Sequence, residues 1–128
     1  MRRHLLPVAS LLVLLLLVRQ LYPYVSGSDP SIVDGYEVNL VSENLGGPTC
    51  LLWANDTHLL ICDRDGGRIT ELNIETDARR TLLGGLHHPH GLLLHEGKAI
   101  VSEQGQLSSY HITEDGLFVE GQTLVSGI

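Results

Sequence analysis

His87, His88, His90 and His95 crowd into nine residues of the chain. Imidazole is a general base near neutral pH and a frequent ligand for zinc or copper, so the cluster raises three readings. These are a metal site, side chains facing a ligand, or solvated turn histidines. The spacing matches no zinc motif, and no cysteine or carboxylate completes an obvious ligand set, which favours the third reading. His87 and His88 fall on a turn before Pro89. His90 opens the apolar run that follows, at the end placed to face a central channel, and is the channel-facing candidate of the four.

Asp63, Asp65 and Gly66 hold part of a calcium-loop pattern, but the later bidentate glutamate of an EF-hand is missing, so a turn closed by Asx hydrogen bonds is expected instead. Glu103 occupies the equivalent place further along, as a repeated turn would require. Cys50 and Cys62 lie symmetrically about Asp56. If they face each other across a hairpin, their Cα atoms fall within reach of a disulfide, and two buried free thiols are the alternative. Nothing beside either cysteine would lower its pKa, which argues against a catalytic thiol. Asn55-Asp56-Thr57 is an acceptor sequon for N-linked glycosylation in an exposed turn. Trp53 and Tyr110 read as packing residues rather than sugar-stacking platforms.

The elements that must position these groups are short. Apolar runs of four to seven residues are separated by glycine or Asn-Asp turns, and no helical periodicity appears after Val25. The expected strands are 49–54, 58–62, 68–74 and 80–83, then 90–94, 98–102, 106–112 and 122–125. The pattern recurs: Leu40-Val41-Ser42-Glu43-Asn44-Leu45 leads to Pro48, Thr81-Leu82-Leu83-Gly84-Gly85-Leu86 leads to Pro89, and Thr123-Leu124-Val125-Ser126-Gly127-Ile128 opens again. A period near 41 residues with four strands in each copy is the grammar of a β-propeller blade. The expected fold is therefore all-β, a partial propeller of about two four-stranded blades (41–83 and 84–125, with a third repeat opening at 123–128). It begins near Gly35 and continues past the carboxyl end. The apolar first two strands of each copy are expected in doubly covered positions, and the polar third and fourth at the outer edge.

Before the propeller, Arg2 and Arg3 precede the apolar run Leu5–Val18. At ~1.5 Å per residue that run spans about 21 Å, short of a roughly 30 Å hydrocarbon core. Residues 1–28 thus read as a secretion signal or, with Tyr22 and Tyr24 at the interface, a retained anchor, giving membrane association through residues 5–25. Residues 29–34 read as a linker. Either outcome places the remainder outside the cytoplasm, secreted, periplasmic or tethered. The net charge is −7, and from Asp29 onward 15 acidic residues face five basic ones. Such a surface repels a phosphate backbone and excludes nucleic acid as a partner.

Three segments together carry a family resemblance: Leu86-His87-His88-Pro89-His90-Gly91-Leu92, Ala99-Ile100-Val101-Ser102-Glu103, and Gln122-Thr123-Leu124-Val125-Ser126-Gly127-Ile128. They resemble the glucose/sorbosone dehydrogenase family, six-bladed propellers similar to the soluble quinoprotein sugar dehydrogenases. The resemblance covers about Val41 to Ile128. It implies pyrroloquinoline quinone and calcium as cofactors, a sugar as substrate, and oxidation in which a histidine takes a hydroxyl proton while hydride passes to the quinone. In that family a segment like Leu124–Ile128 is followed by proline, a glycine pair and the catalytic histidine. Those residues are not in this sequence, so the resemblance assigns it no catalytic, cofactor-binding or metal-binding residue. The expectation is an inactive N-terminal fragment. Pro48–Leu72, with Asp63 and Gly67-Arg68-Ile69, is also similar to an NHL-type repeat, which implies an extracytoplasmic platform for a protein or glycan ligand. A gluconolactonase-type hydrolase shares the architecture, but its early glutamate motif is absent.

Overall fold

The computed structural model describes residues 32–128. The apolar stretch 5–25, expected as signal or anchor, lies outside the described residues. Among those described, no helix is long and apolar enough to cross a membrane. The chain divides into two compact units, one through Asn39 and one from Leu40 to Ile128. In the described part of the first unit the amide of Tyr36 donates to the carbonyl of Val33 at 3.1 Å and closes a turn.

The second unit is all-β. Its strands are β1 (Pro48–Trp53), β2 (His58–Asp63), β3 (Arg68–Asn73), β4 (Arg79–Leu83), β5 (Gly91–His95), β6 (Lys98–Glu103), β7 (Gln106–Ile112) and β8 (Phe118–Ser126). They form two antiparallel sheets of four strands, ordered β1-β2-β3-β4 and β5-β6-β7-β8. Each turn is built from residues that the chain offers at the right place. Asn55 accepts from the amides of Thr57 (3.0 Å) and His58 (2.9 Å), and Asn73 accepts from those of Glu75 (2.9 Å) and Thr76 (3.1 Å). Both are Asx turns that reverse the chain without help from distant residues.

Partners across an antiparallel ladder share a face, so the register identifies what packs. In the first sheet Leu52 faces Leu60, and Cys50 faces Cys62, which faces Ile69. In the second, Leu92 faces Val101, and Leu94 faces Ala99, which faces Tyr110. These two faces meet in one core with Leu82 and Phe118. Hydrogen bonds join the sheets at the rims: the Thr49 hydroxyl donates to the Pro89 carbonyl (2.7 Å), the Leu86 amide to the Gly67 carbonyl (2.9 Å), and Arg80 to the Asp115 carbonyl (2.7 Å). Arg79 holds the segment that enters the first sheet, donating to the Ser42 hydroxyl (2.9 Å) and to the carbonyls of Glu43 (2.7 Å) and Asn44 (2.9 Å).

Two expectations are corrected. The first strand of each sheet is not doubly covered. β1 and β5 are edge strands, and their outward alternates Leu51 (62 % exposed), Trp53 (57 %) and Leu93 (54 %) lie open. Hydrophobic content alone does not report cover; the buried strands are the central β2, β3 and β6, which have a partner on both sides and a packed face. Among the described residues Trp53 joins no core cluster, whereas Tyr110 does lie against the core. The last strand begins at Phe118 rather than 122. Glu120, with a left-handed backbone (φ +54), and the following Gly121 are absorbed as an irregularity in the β7–β8 ladder between Ser109 and His111.

Candidate functional site

Each sheet ends its second strand with a buried carboxylate that stitches two loops together. Asp63, 2 % exposed, accepts from the amides of Gly66 (2.9 Å) in the following turn and Gly47 (3.2 Å) in the entering segment, and from the Arg68 guanidinium (2.9 Å). Burial pushes its pKa up, but the two amides and the Arg68 cation together outweigh that, and the carboxyl stays below its ordinary value. Glu103 repeats the arrangement at the end of β6, accepting from the His87 amide and from the Gln106 side chain. The turn at Asp63, Asp65 and Gly66 is thus closed by an Asx hydrogen bond, and the Asp63 oxygens are engaged by the Gly47 and Gly66 amides and the Arg68 guanidinium. Among the described residues no three His, Cys, Asp or Glu side chains converge as a metal site.

By pinning the His87 amide, Glu103 positions the histidine turn. The rings of His87 and His88 stack with centroids 4.9 Å apart, and His88 Nδ1 donates to the Gln104 amide oxygen at 2.8 Å. His90 Nδ1 lies 3.1 Å from the His88 carbonyl, and its Nε2 lies 2.9 Å from the Ser102 hydroxyl. Arg64, His88, His90, Ser102, Glu103 and Gln104 line an open cleft of ≈ 610 Å³. His90 therefore does face a concave surface, in company with His88, while His95 sits at the far end of β5 beside Glu96 and His87 is held on the turn. The histidines do not act as one set.

Cys50 and Cys62 are register partners with Cα atoms 5.0 Å apart, joined in a disulfide; Cys62 is 0 % exposed. Of the two alternatives the sequence left open, the bridge is the one formed, and it crosses from an edge strand to a central one. Asn55 sits in the exposed β1–β2 turn with its side-chain oxygen engaged by Thr57 and His58. The residue that sequence reasoning missed is Ser102. Counting the hairpin register outward from Glu96-Gly97 would have found it opposite Gly91, next to His90.

A pyrroloquinoline quinone carries several carboxylates and calls for several cations, with oxygen ligands for calcium. The cleft offers one cation, Arg64, and its carboxylate Glu103 is already committed to His87 and Gln106. The residues described here do not fit either group.

No family model matches the chain, and no curated protein matches it. Its fold is similar to a solved structure described as "Iodide structure of Trichoderma reesei Carbohydrate-Active Enzymes Family AA12", with a TM-score of 0.66 and 22% identity over 77% of this chain. The chain spans 28% of the length of that structure's chain.

Proposed function

We propose that the two sheets are a sector of an exported β-propeller that acts on carbohydrate, of the quinone-dependent sugar dehydrogenase type. The observation that carries this reading is the likeness in fold to a carbohydrate-active enzyme over 77% of the chain, beside the resemblance of Val41 to Ile128 to the sugar dehydrogenase family in sequence. Two stacked four-stranded sheets with a repeat of about 41 residues are what consecutive blades look like. The outward faces with Leu51, Trp53 and Leu93 are suited to cover by further blades. The Cys50–Cys62 disulfide supports an oxidising compartment, as the N-terminal signal or anchor reading requires. The role assigned to this chain is to form wall and cleft, not to supply redox groups, and the cleft around His88, His90 and Gln104, with polar side chains set in a partly apolar lining, is its sugar-facing surface.

The test uses the full chain. Supplied with pyrroloquinoline quinone, calcium and a panel of aldoses, it should reduce no artificial electron acceptor. The imidazole resonances of His88 and His90 should nevertheless shift on titration with sugars. Turnover would overturn the assignment of the redox groups elsewhere, and silent imidazoles across the panel would overturn the carbohydrate reading. The alternative, a platform for a protein or glycan ligand, is favoured by the exposed Trp53 beside Leu51, and predicts that a ligand quenches Trp53 fluorescence without touching the cleft.

A further inference from the structure

Pro48 and Pro89 align the two repeats, so that His90 stands where the first copy has Thr49, and Ser102 stands where it has Cys62, each one residue before the stitching carboxylate. The first copy uses these places for structure: the Thr49 hydroxyl ties the sheets together, and Cys62 closes the disulfide. The second copy replaces them with a histidine and a serine in contact at the rim of a cleft. Blade architecture does not require that pair.

The hydrogen bonds settle which nitrogen carries the proton. A carbonyl can only accept, so the 3.1 Å contact from His90 Nδ1 to the His88 carbonyl places the proton on Nδ1. In the neutral ring Nε2 is then a bare acceptor, and the Ser102 hydroxyl donates to it at 2.9 Å. The carbonyl that orients the ring belongs to His88, whose backbone is left-handed at φ +49 although it precedes a proline. That conformation is disfavoured on both counts, and the corresponding residue of the first copy, Gly47, does not adopt it. Opposite Ser102 the chain has Gly91; a Cβ there would come within 3.1 Å of the Ser102 Cβ, so the glycine clears the space the serine occupies.

We propose that Ser102 and His90 are a nucleophile and general base that hydrolyse small acyl esters in this cleft. The Ser102 oxygen attacks the acyl carbon as its proton passes to His90 Nε2, with the His88 carbonyl steadying the imidazolium through Nδ1–H, the part a carboxylate plays in a triad. The acyl–oxygen bond to the alcohol breaks, and the alcohol leaves with the proton from Nε2. Water then gives a proton to Nε2 and attacks the acyl-serine, releasing the carboxylic acid and restoring the hydroxyl. Arg64 lines the same cleft with its Nε donating to Asp65 at 3.2 Å, and its remaining N–H groups are the donors available to the oxyanion formed in each half. The cleft is open and encloses no long apolar tunnel, which suits a short acyl group, such as an O-acetyl ester, rather than a long chain.

The full chain is treated with a fluorophosphonate and, separately, with p-nitrophenyl acetate, and the adduct is located by peptide mass spectrometry. One adduct on Ser102 is expected, absent in Ser102→Ala and unchanged in His111→Asn. His90→Gln retains an amide able to bond the hydroxyl but unable to take its proton, so a folded His90→Gln chain should label about 100-fold more slowly or worse. A wild-type chain that gives no adduct, adducts spread evenly over exposed serines and tyrosines, or a His90→Gln chain labelled at the wild-type rate would each overturn the proposal.

Discussion

Replacing Asp63 by alanine separates the loop-stitching role from ordinary surface electrostatics. The substitution orphans the amides of Gly47 and Gly66 and frees the Arg68 guanidinium. Arg68 is half exposed and turns to water at little cost, so its ion pair contributes modestly. The amides matter more, because Asp63 is the acceptor that serves both; Gly47 is half-buried, whereas Gly66 is exposed and its amide can turn to water. A buried unsatisfied donor costs about 1–3 kcal/mol, and with only the Gly47 amide partly shielded from water Asp63→Ala should cost about 1–3 kcal/mol in all. A unit of this size is stable by only about 5–10 kcal/mol, so the melting temperature should fall by at least ~5 °C. Asp63→Asn keeps an oxygen for both amides and loses only the charge toward Arg68, and should cost about 1 kcal/mol. The assay is urea unfolding of the full chain followed by far-ultraviolet circular dichroism, repeated across pH. The folded carboxyl titrates below its ordinary 3.8, so its contribution is present above that value and is lost as the pH falls through the folded pKa. The stability gap between wild type and Asp63→Asn should therefore be constant near neutrality and close in acid. An Asp63→Ala chain within ~0.5 kcal/mol of wild type, or one no worse than Asp63→Asn, would refute the reasoning.

Two further perturbations address the bridge and the junction between the sheets. Reducing the Cys50–Cys62 disulfide, which closes a loop with a sequence separation of 12, should cost about 2–3 kcal/mol, read as a lower urea midpoint in reductant that the Cys50→Ser, Cys62→Ser double variant reproduces without it. Gly67→Ala should destabilise by at least ~2 kcal/mol, because Gly67 has φ +61 and its Cβ would meet the Leu86 carbonyl at 2.5 Å, backbone that cannot rotate away; an alanine variant as stable as wild type in the same titration would show that the β4–β5 connection is free to move.

What the chain states on its own is local. Turn residues close over two or three positions, so Asn55, Asn73 and the glycines punctuate the sequence wherever they are, and seven of the eight strands fall within a residue or so of where those signals put them. The same locality made the Asp63 turn legible, since its acceptor and the Gly66 donor are three residues apart. The start of the last strand was missed for the reverse reason: the β7–β8 ladder continues past an irregularity at the left-handed Glu120, and pairing with β7 is a relation that no local signal records. Cover, pairing and contact were decided only in three dimensions. The exposure of Leu51 and Trp53 depends on β1 lying at a sheet edge, the joining of Cys50 to Cys62 on the register of a hairpin, and the meeting of His90 with Ser102 on a loop held by Glu103 sixteen residues away. These are relations between segments, and periodicity within a segment carries no record of them.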